Sequence, residues 1–169
     1  MPVSTPTFLA IDPGYDRCGW AVLNTKNKST AVAYGCIQTE IKTTFFERMK
    51  KIEVLLQHII EQYQPTELAI ETLFFAKNQK TALRVAELRG AITLVCLQHA
   101  MTIFEYRPID VKLGATGNGR ADKKAVEKMI RLQLQIPASE KLIDDTLDAL
   151  AVGVTHQTSR KLHLMKHQE

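Results

Sequence analysis

The chain has 169 residues, 45% hydrophobic and 24% charged, which fits one globular domain with its own core and excludes a fibrous or low-complexity protein. Its formal net charge of +4, from 22 Lys+Arg against 18 Asp+Glu, is mildly basic and by itself only weak support for a polyanionic partner. No apolar run reaches spanning length, MPVSTPT lacks the pattern of a secretory signal, and Cys18, Cys36 and Cys96 have no metal-site spacing; the expectation is a cytoplasmic protein with reduced thiols and no membrane role.

FLAID, residues 8–12, reads as a short buried strand that runs into Asp12 and is stopped by Pro13-Gly14. Residues 18–25 form a second strand, and 30–39 pairs back on it as a hairpin. From Thr43 the apolar period lengthens. Phe46, Met49, Ile52, Leu56, Ile59 and Tyr63 recur every three or four residues, an amphipathic helix that ends before Pro65. ELAIE, 67–71, is a second apolar strand that ends in a carboxylate, Glu71. A polar loop with Phe74 and Phe75 leads into a long helix over about 78–100, and a last strand, 102–106, is closed by Pro108. Residues 112–122, with GATGNGRAD, read as a flexible basic loop. Helices over about 123–134 and 142–156 complete a single domain assigned to 1–157, and 158–169 reads as a flexible basic tail. Hairpin strands followed by helix-separated strands predict an α/β fold with a mixed five-stranded sheet flanked by helices.

Asp12 and Glu71 share a context that needs an explanation, because a buried ionised carboxylate without a partner is costly. In the final helix the stripe Ile143, Leu147, Leu150 and Val154 faces the core, and Asp145 and Asp148 share one face beside it. Asp144 and Asp148 share a face as well, so spacing alone does not choose between Asp144 and Asp145. Taken singly, Asp12 before Pro-Gly is a turn residue and Asp144 a helix-start residue. Taken together at parallel strand ends, the acids converge. Two unit charges about 4 Å apart repel by roughly 4 kcal/mol at an effective dielectric of 20. Mg²⁺ or Mn²⁺ supplies the missing counter-charge, and two such ions can activate water and stabilise the leaving oxygen of a phosphodiester.

IDPG, AIE followed by Phe and AKN, GNGRADK, and DTLDALAVGVTH, in this order over about 8–156, resemble the RuvC Holliday-junction resolvases. The resemblance implies a ribonuclease-H-like fold and a homodimer that nicks four-way DNA junctions symmetrically in recombination and repair. It implies Mg²⁺ or Mn²⁺, two ions per active site, and products with a 5′-phosphate and a 3′-hydroxyl. It assigns Asp12, Glu71, Asp145 and Asp148 as catalytic metal ligands, and so selects Asp145 over Asp144. It assigns Phe74, with Phe75 beside it, to base contacts. Lys112 and Lys123, with Lys124 beside it, go to the DNA backbone, with Lys77 of AKN and Arg120 of GNGR in the same DNA-contact set. It implies a branch-migration helicase complex as partner. The residue types agree: an aromatic stacked on an unpaired base is worth about 1–3 kcal/mol, and GNGRADKK can set cations on phosphates. The long helix carries Leu83, Ala86, Ala91 and Leu94, an apolar stripe that the resemblance assigns to the dimer. His156 is expected to end the last helix in a dipole contact. The competing readings are another ribonuclease-H-like nuclease acting on RNA–DNA hybrids, a catalytically silent junction-binding module, and an actin-like nucleotide binder.

Overall fold

The computed structural model describes residues 6–26, 31–73 and 79–166; Phe74, Phe75 and Lys77 lie outside them. In chain order the elements are β1 (Thr7–Asp12), β2 (Arg17–Asn24), β3 (Ala31–Gln38), α1 (Phe45–Tyr63), β4 (Glu67–Glu71), α2 (Gln79–Gln98), β5 (Thr102–Tyr106), α3 (Pro108–Thr116), α4 (Lys123–Gln133) and α5 (Asp144–Lys166). The sheet order is β3-β2-β1-β4-β5. β2 pairs antiparallel with β1 and β3, whereas β4 runs parallel to both β1 and β5. The sheet is therefore mixed, as the hairpin-then-crossover order predicts.

β1 and β4 are central and covered on both faces, which explains why they read as continuous apolar runs rather than alternating ones. Phe8 and Ala10 join one core with Leu150 of α5 and Ile130 of α4. Leu9 and Ile11 join the other with Ile52 of α1 and Ile92 of α2. On the α5 face the strands present alanines, Ala10, Ala21 and Ala69. The helix lies close enough that a Cβ on Gly153 would come 2.5 Å from Leu23 Cδ1. At the start of α1, Thr44 and Glu47 form a capping box, with Glu47 N donating to Thr44 Oγ1 at 3.3 Å and Thr44 N to Glu47 Oε2 at 2.7 Å.

Three expectations need correction. Phe46 is not part of the α1 core stripe; it lies in the first turn, 69% exposed, and the Arg84 guanidinium stands over it and over Phe45. Lys112 is not in a loop, because α3 begins at Pro108. There Arg107 donates through Nε to Asp110 Oδ2 at 2.7 Å, and Val111 and Ala115 are buried. The short segment has little amphipathic period, so pattern reading passes over it.

Finally, α5 does not end at His156 but continues to Lys166, so the expected domain boundary at 157 falls inside a helix. His156 is fully buried. Its Nε2 lies 2.8 Å from Glu67 Oε2 and its Nδ1 lies 2.8 Å from the Tyr106 hydroxyl. One turn on, Arg160 Nε donates to Glu67 Oε2 at 2.7 Å. A buried acid at the start of β4 thus fastens the far half of α5 to the sheet. Burial pushes Glu67 up, but His156 and Arg160 outweigh it and hold the carboxyl at about 2. A depressed carboxyl contributes stability that is present above its unfolded value, near 4.5, and is lost as pH falls toward 2. Glu67→Gln should therefore cost about 1–2 kcal/mol at neutral pH. It should also flatten the pH dependence of urea midpoints between pH 5 and 2, and an unchanged slope there would contradict the assignment.

Candidate active site

The parallel register pairs Ile11 with Ile70, so the next residues, Asp12 and Glu71, sit side by side at the carboxyl ends of β1 and β4. In open α/β sheets this is the end at which ligands bind. The backbone at Glu71 is held from two sides. Its carbonyl accepts from Arg89 Nε of α2 at 3.1 Å, and Thr72 N donates to the Tyr106 carbonyl at 2.7 Å. The helical acids arrive from the other layer. Gly19 of β2 pairs with Asp12, and a Cβ built on it would lie 1.8 Å from the Asp145 carbonyl oxygen. The first turn of α5 therefore rests directly on β2 backbone, beside the end of β1.

The acids feel one another strongly. Burial pushes Asp12 up to about 7, and the charges of Asp148, Glu71 and Asp145 add to it while Lys123 opposes. Burial also raises Glu71 to about 7, with Asp148 adding and Lys112 opposing. Asp148 is raised by burial, by Asp145 and by Asp144 against the pull of Lys123. Two cations divide the cluster. Lys123 Nζ lies 3.3 Å from both Asp144 Oδ2 and Asp148 Oδ2, and Arg17 Nε lies 3.1 Å from Asp145 Oδ2. The Arg17 contact is an ion pair without hydrogen-bond geometry, since Asp145 Oδ2 is buried and accepts no hydrogen bond from the described residues.

The described residues form no closed set of three or more ligands. The donor set nevertheless fits a hard divalent cation: all-carboxylate oxygen, mutually repelling, with one buried oxygen lacking a hydrogen bond. Asp12, Glu71, Asp145 and Asp148 are the residues that would hold it.

Two hollows adjoin the acids. One, about 280 Å³, is lined by Glu71, Asp148, Lys112 and Lys123, with Val111 and Val126 as apolar lining. The second, about 200 Å³, shares Glu71 with the first and includes Asp12 and Pro13. Of the cations singled out in the sequence, Lys112 and Lys123 face this groove, while Arg120 and Lys124 are exposed near the start of α4 and do not line it.

The profile of the family described as crossover junction endodeoxyribonuclease RuvC matches residues 8–156. The chain belongs to the RuvC family. A RuvC crossover junction endodeoxyribonuclease from Caldicellulosiruptor saccharolyticus is 40% identical over 163 residues, covering 95% of this chain and 98% of the relative. Another from Alkaliphilus metalliredigens is 41% identical over 153 residues, covering 90% and 93%. In structure, the fold matches that of Thermus thermophilus RuvC with a TM-score of 0.83 at 24% identity, over 93% of this chain and 96% of the other. The fold is thus ribonuclease-H-like, and the chain is an endonuclease of crossover junctions. As for other RuvC nucleases, a divalent metal dependence follows from membership. Among the described residues no helix is long and apolar enough to cross a membrane.

Sequence reading missed two RuvC site neighbours. Arg17 is an ordinary strand residue by pattern, and only the docking of α5 brings Asp145 to it. Arg89 lies in the long apolar-striped helix, where nothing local marks it as the residue that holds the Glu71 carbonyl. Asp144, which spacing left open beside Asp145, is a second acceptor for Lys123.

Proposed function

We propose that Asp12, Glu71, Asp145 and Asp148 hold two Mg²⁺ ions, with Mn²⁺ as a substitute, and that the chain makes paired symmetric nicks in four-way junctions by hydrolysis without a covalent intermediate. The observation that supports this reading is the pairing of β1 with β4, which sets Asp12 beside Glu71, with α5 near enough that Asp148 raises the proton affinity of both. When bound, divalent ions supply charge neutralisation and a water made nucleophilic at neutral pH. The protein's part is to keep the acids rigid. Glu71 is braced through Arg89, and α5 is seated on Gly19 at one end and tied through His156 and Glu67 at the other.

Lys112 and Lys123 are suited to the phosphates that flank the scissile bond, with Arg120 and Lys124 further along the backbone. Phe74, Phe75 and Lys77 are proposed to meet the junction's bases and backbone. A Thermus thermophilus RuvC structure, 22% identical with a TM-score of 0.82 and covering 93% of this chain and 96% of the other, is a complex with a Holliday junction substrate, which supports the same substrate here. Two matched cuts call for a homodimer. α2, with Leu83, Leu94 and Leu97 each more than half exposed, is the face proposed for it. A branch-migration helicase complex is the proposed partner. Three free cysteines suit a cytoplasmic site of action.

The test is cleavage of four-way, duplex and RNA–DNA hybrid substrates with Mg²⁺ or EDTA. Paired nicks in the junction alone, abolished by EDTA, are expected. Asp145→Asn should retain junction binding and lose cutting. Binding without cutting in the wild type would favour a silent junction-binding module, and hybrid cutting another ribonuclease-H-like nuclease. Normal cutting by Asp145→Asn beside an inactive Asp144→Asn would move the ligand to Asp144.

A further inference from the structure

Arg17 is the first residue of β2, an interior strand, and stands at the end of the sheet where β1 finishes in Asp12. Its side chain is 54% exposed, and its Nε is 3.1 Å from Asp145 Oδ2. That oxygen is buried yet accepts no hydrogen bond, so charge and proximity hold the pair rather than a directed bond. Asp16, the acid beside Arg17 in sequence, is already paired with Arg48. The guanidinium carries five N–H donors. Among the described residues its only ionic partner is an acid that the reading above assigns to a metal.

We propose that Arg17 is a phosphate-binding residue of the nuclease centre, parked on Asp145 while the acids hold no divalent ion and released to the DNA backbone when they do. The inference rests on the reading of the four acids as metal-holding. Asp145 Oδ2 would find its missing partner in a bound divalent ion, and the guanidinium of Arg17 would then be repelled from it. The arginine half of the pair is solvated and no directed hydrogen bond fixes it, so the guanidinium is free to exchange partners. A planar guanidinium is well matched to phosphate, which it can grip through two parallel hydrogen bonds. Lys123 bears on the acids from α4 through Asp144 and Asp148, and Arg17 bears on them from β2 through Asp145. A backbone lying over the acids would then meet cations from two layers of the fold.

The test compares wild type, Arg17→Gln and Arg17→Lys in the full chain. Mn²⁺ affinity is measured calorimetrically without DNA. Junction affinity is measured against salt concentration in EDTA and in Ca²⁺, with gels to verify that the junction stays intact. Arg17→Gln should bind Mn²⁺ about two- to fivefold more tightly, because a competing cation has gone. In Ca²⁺ its junction binding should weaken and its salt slope should become shallower by about one. In EDTA its slope should match wild type, and Arg17→Lys should keep most of the slope in Ca²⁺. Unchanged Mn²⁺ affinity with an unchanged slope in Ca²⁺ would overturn the proposal. So would an equal loss of slope in EDTA and Ca²⁺, which would make Arg17 a permanent DNA contact. A wild type that binds no Mn²⁺ would overturn the metal reading itself, a result distinct from a wild type that binds Mn²⁺ beside an indistinguishable Arg17→Gln.

Discussion

Asp12→Asn should abolish junction cleavage and at the same time stabilise the metal-free protein. Asp12 is the acid that feels all three others, and burial together with their charges raises it to about 7 from the ordinary 3.8. An acid raised on folding makes the folded state bind more protons than the unfolded state between about pH 4 and 7, so stability falls as pH rises through that window. The raise sets a ceiling of about 4 kcal/mol on the cost at neutral pH. Asparagine keeps the shape and removes the charge. A gain of about 2 kcal/mol is expected, since water in the groove and Lys123 relieve part of the repulsion. Cleavage should fall by at least about 10³-fold, because a metal ligand underwrites several kcal/mol of transition-state charge stabilisation. Urea unfolding from pH 4 to 8 in EDTA, beside cleavage rates in Mg²⁺, reads both. Loss of activity together with lower stability would mean that Asp12 is a structural turn acid and not a strained ligand.

Gly19→Ala should be nearly as damaging without touching a charge. The added methyl would lie 1.8 Å from the Asp145 carbonyl oxygen and 2.5 Å from its carbon, and both are backbone. β2 is fixed between β1 and β3, so the helix start has to give way. Overpacking of this kind costs about 1–3 kcal/mol. A shift of about 1 Å at a reacting group can cost about 10²-fold in rate. The expected signature is a cleavage rate about 10²-fold lower, weaker Mn²⁺ binding and near-normal junction affinity, because Lys112 on α3 and Lys123 on α4, proposed to meet the phosphates, do not move. Full activity would mean that the first turn of α5 tolerates displacement and that Asp145 does not need its present position.

The four acids were legible because each follows a short-range pattern. Two apolar runs end in a carboxylate, and one helical stripe carries acids at its edge. The mixed sheet was legible for a similar reason, since a hairpin followed by helix-separated strands leaves few arrangements. The choice of Asp145 over Asp144 needed the family resemblance, because both satisfy helical spacing with Asp148. What stayed hidden depends on contacts between distant segments. His156 looked like a helix end, and its buried bridge to Glu67, 89 residues away, has no local signature. The length of α5 follows from that bridge and from Arg160. α3 was hidden for another reason. Nine residues with Gly114 in the interior give too little period to outweigh the loop-like composition of the segment that follows. Arg17 reads as a strand residue until the seating of α5 puts Asp145 beside it.

The measurement that bears most directly on the four-acid site is anomalous diffraction from crystals of the protein soaked in Mn²⁺. Manganese peaks enclosed by Asp12, Glu71, Asp145 and Asp148, with Lys123 and Arg17 drawn away from the carboxylates, are the expected result. Manganese bound only elsewhere, with Asp148 still paired to Lys123 and Asp145 to Arg17, would contradict the account.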